Sequence, residues 1–434
     1  MELSINEYVD FIRLTNSLWG WLAFSTLLLL IAQFRPLMAI SLMCFYPTLL
    51  WSAPWKPIVT LYPCYPLILF LVIKYVRKIL SAILGFRYRI VIILSAFIII
   101  WSFFSPLLYP VPYGLPITFT QNPIYQRGIL SIVILFLMPA ALGSRDDIRK
   151  FLYATFQLFI VVHLLVVLAA VFFLALGNSI YDLHLMRILD TPPIYWESGL
   201  FLIFLAYAFV GRKVRSSMIM WYGMLAFAGL VLGNSRTRFL ATLLCLLYFM
   251  YPNVSKRLIA WMLTLALLSS TSLLLLPGSV EDYFSKLIQQ RIEQSSGKTF
   301  AEMSTGRTKA YEYAYKKWKE NPFVGVGSCY ILPRSIYTGV STPIPRVHNY
   351  YLEVLAGQGV VGFGLLIIVL FICFVSMLKI GMMKSTMVLD GRLIVALFLF
   401  GVINWMFKES WGITYSAITM LSLYRQTKES ESPS

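Results

Sequence analysis

Three histidines occur in the 434 residues, and one stands where chemistry is easiest to imagine. His348 lies in Arg346-Val347-His348-Asn349-Tyr350, where a polar stretch runs into an apolar one. A neutral imidazole at such a junction accepts a proton near neutral pH. The plainer use of the same position is to cap the helix that follows. His163 sits amid Val161, Val162, Leu164 and Leu165, which suits packing between helices better than catalysis. His184 lies in a loop with no partner in view. Arg236 and Arg238 follow Gly233 at the end of an apolar segment. Two guanidiniums at a membrane surface suit a diphosphate, whose oxygens they grip through paired donors. Lipid head-group anchoring is the commoner role of such residues. Arg307, in Ser304-Thr305-Gly306-Arg307-Thr308, opens an expected helix, where free N–H groups favour anions. A solvated surface charge is the alternative there.

Other chemistries find little support. Gly325-x-Gly327 is too short for a nucleotide loop, and no P-loop or Rossmann fingerprint is present. No His/Cys/Asp group has metal-ligand spacing. The acids expected outside the membrane are sparse and unpaired, which disfavours a two-carboxylate hydrolase. The intramembrane acid pairs of ion-coupled transporters are not evident. Of five cysteines only Cys329 lies in the long polar stretch, so there is neither a disulfide framework nor a CxxC pattern.

The elements that must position these residues are membrane helices. The chain is 59% hydrophobic and 13% charged, against roughly 45–50% and about 25% for soluble domains. Apolar runs near the length of a bilayer crossing recur, predicting an all-α, polytopic bundle of about 12–13 spans. The net charge of +17 then reflects basic loops obeying the positive-inside rule rather than nucleic acid binding. The N-terminus carries acids before its first base and does not resemble a cleaved signal peptide.

Expected spans are Leu18 to Ala32, Leu37 to Ser52 and Ile58 to Val76, followed by a basic cytoplasmic cluster of Lys74, Arg77, Lys78, Arg87 and Arg89. Ile90 to Leu108 leads out to a proline-rich loop, and Ile124 to Leu142 returns to Arg145, Arg149 and Lys150. Then come Phe151 to Leu176, Gly199 to Val210, Met218 to Leu232, Phe239 to Met250 and Leu258 to Leu276. After the polar stretch follow Tyr350 to Met377, with Lys379, Lys384 and Arg392 inside, then Leu393 to Phe407 and Trp411 to Tyr424.

The division is thus transmembrane helices over 1–277, a large periplasmic loop over 278–349, further spans over 350–424, and a polar cytoplasmic tail over 425–434 expected to be disordered. Parity places the loop outside. Within it, Glu281 to Gln294 reads as an amphipathic helix. Thr305 is a candidate cap for a second helix, from Gly306 or Arg307 to Glu320. Asn321-Pro322 ends that helix, and Phe323-Val324-Gly325-Val326-Gly327 forms a turn.

From Arg307 onward the sequence resembles the O-antigen ligase/polymerase superfamily of bacterial envelope enzymes. The resemblance rests on Gly306-Arg307, Asn321-Pro322-Phe323-x-Gly325-x-Gly327, His348-Asn349-Tyr350-Tyr351-Leu352 and Gly359-x-x-Gly362, with Arg236 in Asn234-Ser235-Arg236-Thr237 as an upstream arginine motif. It covers roughly Met218 to Phe371.

The resemblance implies a glycosyltransferase of GT-C type, with no metal and no other cofactor, in the bacterial inner membrane. Its donor would be a glycan on undecaprenyl diphosphate, and its acceptor lipid A–core or another lipid-linked glycan. His348 would be the base, and Arg236, Arg238 and Arg307 the diphosphate clamp. Arg346, Asn349 and Tyr350 are secondary candidates. A ligase is the preferred reading. A polymerase joining lipid-linked repeats is the alternative within the family. A transporter for lipid-linked sugars should show related halves, which are absent. A non-catalytic assembly partner would carry an inert His348.

Overall fold

The computed structural model describes residues 18–46, 64–85, 89–108, 123–175, 198–210, 221–223, 226, 236–250, 307–327, 347, 349–381, 388–406 and 411–431. Among these the regular structure is helical throughout. In chain order the helices are α1 (Leu18–Phe34), α2 (Pro36–Phe45), α3 (Cys64–Gly85), α4 (Arg89–Leu108), α5 (Pro123–Ala141), α6 (Arg145–Ala175), α7 (Ser198–Val210), α8 (Arg236–Met250), α9 (Arg307–Glu320), α10 (Tyr350–Gly381), α11 (Val388–Trp405) and α12 (Trp411–Glu431). Among the described residues two segments are long and apolar enough to cross a bilayer, Arg145–Leu165 and Tyr350–Ile380. Shorter apolar helices include Pro36–Phe45, Arg89–Ser102 and Ser198–Val210. The expected proline-rich loop, the span Leu258 to Leu276 and the amphipathic helix Glu281 to Gln294 lie outside the described residues.

Local chemistry explains the helix ends. Pro36 opens α2 at a position where its missing N–H costs nothing. Ser144 and Asp147 cap α6 reciprocally. The Ser144 hydroxyl accepts from the Asp147 N–H at 3.2 Å, and the Asp147 carboxylate accepts from the Ser144 N–H at 3.0 Å. Lys74 of α3 donates to the carbonyls of Ala32 and Gln33 at 3.2 and 3.3 Å, which serves the C-terminal end of α1.

Several boundaries differ from expectation. Helix α3 runs through Lys74, Arg77 and Lys78 to Gly85; the long stem of Lys74 lets it stay helical while its ammonium reaches the carbonyls of Ala32 and Gln33. Helix α11 begins at Val388, so Arg392 is helical. Helix α8 begins at Arg236, which puts Arg236 and Arg238 in the first turn of the returning helix instead of at the end of the outgoing one. Helix α12 continues to Glu431 through the stretch expected to be disordered. Good helix formers there extend a helix already nucleated by packing.

The centre of the bundle is α12. It packs against α2, α4, α5, α6, α10 and α11, and every residue from Gly412 to Tyr424 is buried. Its buried Thr419 and Ser422 hydroxyls donate to the carbonyls of Tyr415 and Ile418, four residues back, at 2.8 and 3.0 Å. Polar side chains are thus satisfied within the helix, and small residues allow close backbone approach. A Cβ on Gly412 would stand 2.4 Å from the Cys44 carbonyl oxygen of α2.

Helices α11 and α12 are antiparallel, with Trp405 beside Tyr415 at one end and Gly391 beside Tyr424 at the other. These ends are about 21 Å apart along α11, at 1.5 Å per residue. At the Tyr424 end, Asp390 is 6% exposed, accepts from the Tyr207 hydroxyl of α7, and pairs with Arg149 of α6 at 3.2 Å. Arg145 donates to the Tyr424 hydroxyl at 3.0 Å. Ile380 of α10 lies against Gly391, so α10 also finishes at this end.

Candidate functional site

The opposite end is built around a break in α10. Gly359 has φ 66 and ψ −168, so the helix is interrupted between 350–358 and 360–381. A side chain is strained at that φ. The turn after α9 docks into the break. Pro322 and Phe323 present their carbonyls to the N–H groups of Val360 and Val361, at 2.8 and 3.3 Å. In return the N–H groups of Val326 and Gly327 reach the carbonyls of Ala356 and Gly357, at 3.0 and 2.8 Å. The main-chain groups released by the interruption are thereby used by the turn, as buried backbone requires.

The glycines of the turn have a physical cause. Gly325 and Gly327 have φ of 78 and 83. A Cβ on Gly325 would stand 2.4 Å from the Gly357 carbonyl carbon, and one on Gly359 would stand 2.1 Å from the Phe323 carbonyl oxygen. Trp101 of α4 braces the break by donating its indole N–H to the Gln358 carbonyl at 3.3 Å.

A small second core joins these parts. It contains Ala310 and Ala314 of α9, Val326 of the turn, Ala356 of α10 and Val347, with Tyr311, Trp318 and Leu352 packed against it. Since α9 ends at the break while Ala310 shares a core with Val347, α9 runs back alongside 350–358, with Arg307 toward Val347. Asn349 starts α10. Its side-chain oxygen accepts from the Leu352 N–H at 3.1 Å, and its carbonyl accepts from the Glu353 N–H at 2.9 Å. The cap of this helix is therefore Asn349, the residue after the histidine.

Beneath the cap, Tyr350 is 1% exposed. Its ring centroid is 4.4 Å from that of Trp405, and its hydroxyl is 3.2 Å from that of Tyr415. Tyr351 donates to the Val402 carbonyl at 3.2 Å. The aromatic layer fixes the start of α10 to the end of α11 and the start of α12.

His348 and Arg346 lie outside the described residues, as does Thr305. The described neighbours of His348 are Val347, buried in the second core, and the capping Asn349. Arg307 opens α9, and Arg236 and Arg238 lie in the first turn of α8. The course of α8 follows from its contacts. Phe249 meets Tyr207, which bonds Asp390, while Thr242 and Phe400 both meet Gly199. Helix α8 thus runs from the Trp405 end toward the Asp390 end, and its first turn lies at the same end as Asn349. All three arginines open helices, whose N-terminal N–H groups and dipole favour anions.

His163 is 3% exposed and its Nδ1 lies 2.7 Å from the Phe159 carbonyl, so that nitrogen carries the donated proton. Its ring packs 4.6 Å from Phe201. Sequence reading missed Trp101, Trp405 and Tyr415, all of which support the site. Trp101 lies in an apolar run far from the motif, where nothing in the local pattern marks it.

No curated protein matches the chain. Residues 221–367 match the family model described as O-antigen ligase. The arginine turn of α8, all of α9, the glycine turn and the break in α10 fall inside that match, so it is this part of the chain that is similar to the O-antigen ligase family.

Proposed function

We propose that the protein moves a glycan from undecaprenyl diphosphate to an acceptor hydroxyl at the periplasmic face of the bacterial inner membrane, as an O-antigen ligase acting on lipid A–core. The observation that carries this reading is the gathering at one end of the bundle of the capped start of α10, directly after His348, and the arginine-bearing starts of α8 and α9. Arg145 and Arg149 lie with Asp390 and Tyr424 at the other end, where Lys379 and Arg392 also fall in sequence beside Ile380 and Gly391. Basic ends mark the cytoplasmic side, so this supports a periplasmic site.

In the proposed reaction His348 takes the proton of the acceptor hydroxyl while its oxygen attacks the anomeric carbon. The bond from that carbon to the diphosphate oxygen breaks, and the diphosphate leaves with the electron pair. Arg236, Arg238 and Arg307 offset the charge that develops on it. Diphosphate is a good leaving group without protonation. The buried Tyr350 and the capping Asn349 hold the histidine's chain segment, and Arg346 adds positive charge beside it.

Purified protein in detergent, given a lipid-linked glycan with either lipid A–core or a second lipid-linked repeat, tests the reading. Transfer to lipid A–core is expected, whereas transfer only to the lipid-linked repeat makes the enzyme a polymerase. His348→Ala should lower turnover by about 10²–10⁴-fold, and wild-type turnover in that variant removes the base assignment. Donor affinity should fall with salt, as expected where cations hold a diphosphate.

A further inference from the structure

The docked turn carries one side chain that none of this uses. Phe323 is 70% exposed, although its own carbonyl is tied to Val361 in the break of α10. An aromatic ring held out by a rigid backbone has a surface to meet. That surface is continuous with a longer one. Below the break, Val360, Val361, Ile368, Phe371 and Leu378 of α10 are also exposed. Only 28% of the apolar window of this helix is buried against the rest of the protein, although its mean hydropathy is 2.9. A helix that apolar and that uncovered faces lipid along its length. Phe323 sits at the top of this lipid-facing stripe.

Helix α9, immediately before it, has the composition of a membrane interface. Tyr313 and Tyr315 are exposed. The Lys319 ammonium lies 4.6 Å from the Tyr315 ring centroid, and Lys317 pairs with Glu320 at 2.7 Å. Aromatic rings with lysines reaching past them are the usual occupants of the head-group layer.

We propose that Phe323 is a membrane anchor, with its ring seated in the acyl chains of the leaflet at this end of the bundle. Because the turn is bonded to both halves of α10, the anchor sets the depth of α9 and of the α10 start relative to the lipid surface. The occupant is bilayer hydrocarbon. The stripe belongs to a helix long and apolar enough to cross a membrane, and the exposed Phe323 is bonded through its own carbonyl to Val361, at the upper end of that stripe. The inference does not depend on the transfer reaction.

The test places the photocrosslinker p-benzoylphenylalanine at position 323 of the full chain, reconstituted alone in vesicles of synthetic phosphatidylethanolamine and phosphatidylglycerol. The same label at Phe371 reports the lipid-facing stripe, and at the exposed Glu312 of α9 the aqueous face. Acyl-chain adducts at 323 should be within about twofold of those at 371 and at least about tenfold above those at 312. A yield at 323 equal to that at 312 overturns the proposal, since the ring is then in water. So does crosslinking to a second copy of the chain. A third arm adds undecaprenyl phosphate. Replacement of acyl adducts by prenyl adducts would assign the ring to a polyprenyl chain and also overturn it. Unchanged acyl adducts support it.

Discussion

Helices α10 and α12 lie side by side and invert the usual relation between sequence and burial. Helix α10 is the more apolar, yet most of its span is uncovered. Helix α12 carries Thr414, Ser416, Thr419 and Ser422 and is buried on every side from Gly412 to Tyr424. The inversion has a simple cause. Lipid is as apolar as leucine, so greasy side chains gain little by facing another helix, while small residues gain close packing. In this pair the more apolar helix therefore stands at the rim of the bundle, and the one with small polar residues stands at its axis. Helix α10 departs from rim behaviour only over 350–359, where it meets the turn, the second core and the aromatic layer.

This contrast can be broken experimentally, and the sharpest attempt lies within α10 itself. Gly359→Ala puts a methyl into the Phe323 carbonyl at a positive φ, and should cost about 3 kcal/mol or more and abolish transfer. Gly364→Ala on the same helix meets nothing within 4 Å and should be neutral within about 0.5 kcal/mol. Thermal unfolding in detergent compares the two, and equal effects would end the claim that the break governs this helix. The ion pair at the far end ranks next. Asp390→Asn removes the buried charge facing the half-exposed Arg149, and a loss of about 1–3 kcal/mol is expected after discounting for solvent. Transfer by the surviving folded protein should stay near wild type, because the pair lies at the opposite end.

A direct comparison of axis with rim follows. Gly412→Ala drives a methyl into the α2 backbone and should destabilise by about 1–3 kcal/mol. Phe371→Ala removes a ring that is 65% exposed and should cost less than about 1 kcal/mol. The reverse order in a melting assay would overturn the rim and axis assignment. A modest effect is expected at the cap. Asn349→Ala should cost about 1 kcal/mol, and Asn349→Asp should restore most of it. If the cap also holds the neighbouring histidine, turnover falls in the first variant and recovers in the second.

Much of this was legible in the sequence. Helix α9 begins at Arg307 and ends before Pro322, as its composition and the proline dictate. His163 packs against aromatic rings, as its apolar neighbours imply. The glycines of the turn and of the histidine motif were visible as a pattern, but not as two halves of one contact. Their meeting depends on main-chain bonds between residues 30 to 38 positions apart, which no local signal encodes. The helical position of Arg236 and Arg238 was misjudged by one element, because Gly233 and Asn234 read equally well as the end of one helix or the approach to the next. The centrality of α12 was hidden by hydropathy itself, which reports preference for lipid and says little about a buried axis.

The clasp between the glycine turn and α10 is made by peptide groups, and it asks of the side chains only that some be missing. Residues 307–327 should therefore behave as an exchangeable cassette. A graft from a protein of the matched family that keeps Gly325, Gly327 and the small residues Ala310 and Ala314 of the second core would find the same peptide partners waiting. Surface features of α9 could then be traded between enzymes without rebuilding the membrane body beneath them.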